Sequence, residues 1–176
     1  ESQGILVVQV EQVDVSDFRG FSIQAPVFPV IALNSKDHPH GKIFTCLHEY
    51  CHLLLSSDGV CDLTEDDQLS SDDVRTEQFC NAFAGSVLVP RMELLSRPIV
   101  RRIGRQSAYS DEAIEELATT FRVSREVIVR RLLTCDLVPH DFYLRKRSEY
   151  LAQLQQQSEA SDAGGFISFP MRVFRK

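Results

Sequence analysis

An α+β fold, with a small sheet ahead of a run of helices, is predicted by three features of this chain. The first forty residues hold short apolar runs with strand-like alternation, ILVVQV (5–10) and PVFPVIAL (26–33). From Lys42 to about Ser56 the apolar residues recur at helical spacing. Beyond Pro90 the pattern stays helical and turns more basic.

The chain has 176 residues, enough for one domain with a real core or a domain with a small appendage. Hydrophobic residues make up 43% and charged residues 25%, the balance of a globular protein. No apolar run nears the roughly 20 residues that span a bilayer, so no membrane association is expected. The sequence opens on Glu1 with no signal-peptide pattern, and a core-like strand follows almost at once, so native sequence upstream is expected. Five cysteines in no regular spacing suit a reducing compartment, and a cytoplasmic location is the expectation. The net charge of -6 is unevenly spread. Residues 97–147 carry 11 Lys and Arg against 7 Asp and Glu, whereas the rest carries 8 against 18. Much of that acid lies in DLTEDDQLSSDD (62–73), which reads as a solvated loop.

In chain order, ILVVQV is a candidate strand and QVDVSDF (12–18) has period-2 character. Pro26 and Pro29 suit an edge strand or the start of one. NSKDHPHG (34–41) is rich in turn-formers and reads as a loop, with His38 and His40 as exposed residues. A helix from Lys42 ends at SSDG (56–59). A second, capped by Ser71 or Asp72, runs until Pro90 stops it. DEAIEELATTFRVSREVIVRRLLTCDLV (111–138) contains two helices joined at FRVS, and HDFYLRKRSEYLAQLQQQ (140–157) is a further amphipathic helix. SEASDAGG then reads as a linker before a short apolar end, FISFPMRVF.

The first helix contains FTCLHEYCHLLL (44–55). Successive helical residues advance about 100°, so His48 and His52 share one face and can direct two imidazoles at one ion. Glu49 lies about 100° round from His48, near enough to touch a water at that ion without ligating it. This is the chemistry of HExxH: two nitrogen ligands and an adjacent base. The competing reading is a buried helix with two incidental histidines. Leu53, Leu54 and Leu55 are expected to pack this helix into a core. A catalytic metal needs a third protein ligand and an open position. Glu77 on the second helix is the best donor, with Phe79, Phe83, Val87 and Leu88 as expected packing residues beside it. Asn81, one turn on, is placed to support a ligand through a hydrogen bond. Glu65, Asp72 and Asp73 are rival ligands, but a carboxylate in an acidic loop or a first helical turn more often caps or is solvated.

RGF (19–21), VIALN (30–34), FTCLHEYCHLLL (44–55) and EQFCNAFAGSVLVP (77–90) together resemble the ImmA/IrrE metallopeptidases, over roughly residues 4–135. The resemblance implies a small N-terminal sheet packed on a zincin-like HExxH helix pair, followed by a helical, helix-turn-helix-like region. It implies one Zn2+ per chain on His48, His52 and Glu77, with Glu49 as the base. The organisation expected is a metallopeptidase core over 1–96, a helical region over 97–157, and a linker with a short C-terminal segment over 158–176. The resemblance also implies a zinc endopeptidase that cuts a partner helix-turn-helix transcriptional repressor and so relieves repression of stress or defence genes. No oxyanion stabiliser is evident, and Tyr109 and His140 are only two of many candidates.

Two further expectations come from the residues. Cys61, nine residues after His52, lies close enough for its thiolate to fill the open metal position and silence the enzyme. Cys46, Cys51 and Cys80 read as small packing residues. The alternative function is nucleic-acid binding. EELATTFRVSREVIVRRLL has a helix-turn-helix shape, with Arg125, Arg130 and Arg131 on its second helix and nucleic acid as an activating signal. Arg97, Arg101, Arg102 and Arg105 add to that positive stretch. Against it stands a helical hairpin whose arginines are solvated or paired.

Overall fold

The structure is a computed structural model that describes residues 4–15, 17–55, 59–61, 71–105 and 108–162; for 59–61, 71, 151 and 154–162 it describes the backbone alone. Among these residues four strands and seven helices follow one another: β1 (Leu6–Val10), β2 (Gly20–Ile23), β3 (Val30–Asn34), α1 (Pro39–Leu54), β4 (Gly59–Cys61), α2 (Ser71–Leu88), α3 (Arg91–Ser96), α4 (Pro98–Ile103), α5 (Asp111–Phe121), α6 (Arg125–Thr134) and α7 (His140–Asp162). The fold is α+β, as expected.

The strands form one sheet in the order β1-β3-β2-β4. β1 runs parallel to β3, while β2 is antiparallel to both β3 and β4. Pro29 lies just ahead of β3, where its missing N–H costs no ladder bond. Side chains alternate across the sheet, so Ile31 and Leu33 share a face, and they pack with Leu53 of α1. Gly20 and Ser22 belong to the same face. A methyl at Gly20 would overlap the Thr45 methyl and stand 2.9 Å from the Ala32 carbonyl oxygen, so glycine lets β2 lie directly on α1.

The far face explains one sequence expectation that fails. QVDVSDF is not a strand. Gln12 has φ 65°, and Asn34, fully buried at the end of β3, donates its side-chain amide to the carbonyls of Val13, Asp14 and Phe18. Those carbonyls serve one asparagine instead of a neighbouring strand, so the segment closes as a loop.

α1 begins at Pro39, earlier than its periodicity suggests. Proline fits the first turn, and the His38 ring accepts the His40 N–H as a cap. α5 ends on Arg122 in the left-handed conformation, and Ser124 caps α6 through the Val127 N–H. The FRVS turn is where the sequence puts it. α7 continues to Asp162, so Ser158–Asp162, expected as linker, are helical. Nothing there breaks a helix before the glycines that follow.

The helices after α2 share a core of Val89, Leu94, Ile114, Leu117, Ile128 and Leu132 with their neighbours, and Phe44 of α1 packs against it. Val89 and Leu94 lie in this core, ahead of the boundary expected at residue 96. Arg131 closes the joint by donating Nε–H to the Val89 carbonyl at 2.7 Å. Two packing expectations are corrected. Leu54 and Leu55 are 55% and 46% exposed, because only Leu53 of the three turns toward the sheet. Phe79 and Val87 lie half-exposed on the outer side of α2, while Cys80 and Ala84 form its inner face. Among the described residues, no helix is long and apolar enough to cross a membrane.

Candidate metal centre

α1 and α2 pack side by side, and their contact brings His48, His52 and Glu77 together. His48 Nε2 and His52 Nε2 lie 3.0 Å apart. The Glu77 carboxylate straddles them, with Oε2 at 3.1 Å from His48 Nε2 and Oε1 at 2.9 Å from His52 Nε2. Two imidazole lone pairs and a carboxylate at this separation repel one another unless a proton or a cation lies among them. A divalent ion held at about 2.0–2.2 Å by such atoms sets them roughly 3–3.5 Å apart. The three residues thus suit a metal ion in geometry and in donor chemistry.

Exposure gives the cluster a direction. His48 and His52 are 1% and 2% exposed, whereas Glu77 is 32% exposed, so access is from the α2 side. His48 Nδ1 is buried without a hydrogen-bond partner among the described residues. Packing beside Phe44, at 6.4 Å between ring centres, therefore holds that ring.

The charges respond to this crowding. Burial works against ionised Glu77, but the hydrogen bonds and charges of the two histidines outweigh it and hold the carboxyl at about 2. Burial also disfavours charged His52, yet the carboxylate of Glu77 raises it above the ordinary histidine value.

Glu49 occupies a different environment. It is fully buried, and its Oε2 accepts a hydrogen bond from Ser22 Oγ at 2.8 Å. Its Oε1 is buried with no hydrogen-bond partner among the described residues. Burial pushes this carboxyl above its ordinary range, and Ser22, His48 and His52 pull it part of the way back. A desolvated carboxylate beside three candidate metal ligands, with one oxygen tethered by Ser22, is built to accept a proton.

The other expected residues fall as follows. Asn81 lies half-buried one turn after Glu77 and, among the described residues, makes no hydrogen bond to a ligand. Asp72 and Asp73 are exposed in the first turn of α2, where carboxylates favour the helix dipole. Glu65 lies outside the described residues. Cys61 ends β4 opposite Gly20, but its side chain lies outside the described part of the structure. The Cys51 and Cys80 thiols hydrogen-bond to each other between α1 and α2, and burial raises both. Tyr109 donates its hydroxyl to the Gly104 carbonyl within the helical core, and His140 is exposed beside Tyr143.

The helix-turn-helix-like arginines are committed to protein contacts. Arg125 pairs with Glu115, donates to Gln153 and stacks over Tyr150. Arg130 pairs with Glu126 and lies over Tyr143, and Arg131 serves the Val89 carbonyl. Arg97 likewise pairs with Glu93 and lies over Phe121, whereas Arg101, Arg102 and Arg105 are exposed. An open groove beside Arg125 is lined by Asp111, Glu112, Glu115 and Glu116, an unfavourable neighbour for phosphate.

Sequence reasoning missed Ser22. Alternation in GFSI puts Ser22 on the same side as Gly20, but no local signal says that this side meets Glu49. No curated protein matches the chain significantly. Comparison with protein families aligns residues 1–133, most of the chain and all of the residues gathered here, with a peptidase family described as the IrrE N-terminal-like domain. The chain belongs to that family.

Proposed function

We propose that the chain is a zinc-dependent endopeptidase of the cytoplasm. The observation that carries the reading is the fully buried Glu49 beside three converging ligand atoms, since a purely structural metal site has no use for a base. Two histidines and one carboxylate are a zinc ligand set that leaves a coordination position for chemistry. The metal, when bound there, would supply Lewis acidity and lower the pKa of water in the site. His48 and His52 present neutral Nε2 atoms, and Glu77 offsets the ion's charge. Glu49 Oε1 takes a proton from the attacking water and returns it to the leaving amide nitrogen. Burial suits Glu49 to this task, because a raised carboxyl is the acid form of a more basic carboxylate, better able to take a proton from water.

The substrate class rests on the family resemblance: a partner transcriptional repressor of the helix-turn-helix kind, whose cleavage relieves repression of stress or defence genes. The test is to incubate the zinc-loaded protein with a helix-turn-helix repressor encoded beside it, alongside Glu49→Gln. A discrete cut made by the wild type alone supports the reading; an intact repressor, or equal cutting by both, defeats it. Cys61 enters here as a proposed silencing ligand, its backbone lying two residues along β4 from Gly59, the position opposite Ser22. Cys61→Ala then raises basal cleavage, and an unchanged basal rate removes that role.

A further inference from the structure

β2 contributes more than a strand to the sheet. Gly20 admits α1 so closely that Ser22, two residues on and on the same face, reaches Glu49 one turn beyond Thr45. The contact spans 27 residues of sequence and is almost wholly buried, with Ser22 at 4% exposure. It uses Oε2 alone and leaves Oε1 without a hydrogen-bond partner among the described residues.

We infer that Ser22 is the positioning residue for Glu49: its hydroxyl holds Oε2 and so reserves Oε1 for the reacting water. The inference rests on the peptidase reading above for its consequence in rate, but the hydrogen bond itself can be tested without substrate. An untethered glutamate can rotate about its terminal torsion, which is broad and roughly two-fold, and offer either oxygen or neither. A serine hydroxyl at 2.8 Å removes that freedom. Among the described residues it is also the only hydrogen-bond donor to this carboxylate, so its removal leaves both oxygens buried without a donor from those residues.

The experiment compares wild type, Ser22→Ala, Ser22→Thr and Ser22→Cys as full chains. The first measurement is infrared difference spectroscopy on the metal-free proteins, with the Glu49 carboxyl band assigned by its loss in Glu49→Gln. Ser22→Ala and Ser22→Cys should shift that band, the second because a thiol is a weak donor of nearly the same shape. Ser22→Thr should leave it in place. The second measurement is zinc-dependent cleavage of a proteome-derived peptide library, read by mass spectrometry on substrates that the wild type cuts. Ser22→Ala should lower kcat by roughly 10- to 100-fold with KM within about twofold. Ser22→Thr should restore most of the rate, and zinc content should be equal in all four proteins.

An unmoved Glu49 band in Ser22→Ala overturns the inference, whatever the library shows. Equal rate losses for the alanine and threonine variants overturn it as well. Should the wild type cut nothing in the library while the band shifts as expected, the tether stands and the peptidase reading loses its support. If Ser22→Ala does not fold, Ser22→Cys carries both measurements.

Discussion

The two halves of this molecule handle burial in opposite ways. Among the described residues, every buried polar or charged one lies between Ser22 and His52, in the sheet, the turn after β3 and α1: Ser22, Asn34, Asp37, Thr45, His48, Glu49 and His52. Among the described residues, the buried core of the helical half is instead a single apolar cluster of 20, while three hydrophobic residues, Ile31, Leu33 and Leu53, form the buried centre of the sheet's cluster. Burying charge opposes folding unless it is paired or hydrogen-bonded. The N-terminal half tolerates such groups because α1 leans on the helical cluster through Phe44, and α2 is held at its end by Arg131. The comparison teaches a division of labour: chemistry sits where the small sheet meets α1, and much of the apolar stabilisation lies in the helices behind it.

The largest expected effect probes the polar half. Glu49→Gln should lower the cleavage rate by roughly 10²- to 10⁴-fold, the usual contribution of a positioned base, while zinc content by elemental analysis stays at one per chain. Loss of metal along with rate would mean that Glu49 holds the site together instead of serving its reaction.

The apolar half comes next. Ile128→Ala empties a fully buried position and should cost about 2–5 kcal/mol, measured by urea unfolding, with zinc binding at low temperature unchanged. Leu53→Ala should cost less, because its cluster is small and edged by residues that are only partly buried. The reverse order would break the division drawn above.

A third prediction concerns pH in the metal-free protein. Glu77 lies at about 2 when folded, against an ordinary 4.5, so its contribution is present above 4.5 and is lost as pH falls toward 2. His52 is raised above 6.5, so its contribution is present below 6.5 and is lost as pH rises through its folded value. The pair is therefore strongest between about pH 4.5 and 6.5. Denaturation midpoints of wild type and Glu77→Gln should differ most in that window, by on the order of 2 kcal/mol, and should converge toward pH 2. A constant difference across pH would remove the coupling.

The smallest effect tests the joint. Arg131→Met removes a charged donor from the Val89 carbonyl and should cost about 1–2 kcal/mol, with Arg131→Lys recovering part. If Arg131→Met leaves stability untouched while weakening binding to a DNA duplex in a salt-dependent way, the arginine belongs to a nucleic-acid surface after all.

Much of this was legible from local pattern. Helical periodicity located α1, and Pro90 marked the end of α2. Ser124 and the turn before it separated α5 from α6. β2 and β4 were not legible as strands, because four and three residues are too few for alternation to register. QVDVSDF misled for the complementary reason: it alternates, but Asn34 claims its carbonyls. Leu54, Leu55, Phe79 and Val87 were expected to be packed because they are apolar, yet which side of a helix is covered depends on what lies against it.

By itself the sequence determined which atoms can bind a metal, since helical spacing alone puts His48 and His52 on one face with Glu49 beside them. Only the tertiary structure decided that Glu77 straddles both imidazoles and that Ser22 tethers the base. It also decided that the arginines of α6 face protein. Periodicity is a property of neighbouring residues and survives in a one-dimensional reading. Contacts across 25 residues or more depend on how elements pack, and no local pattern encodes that.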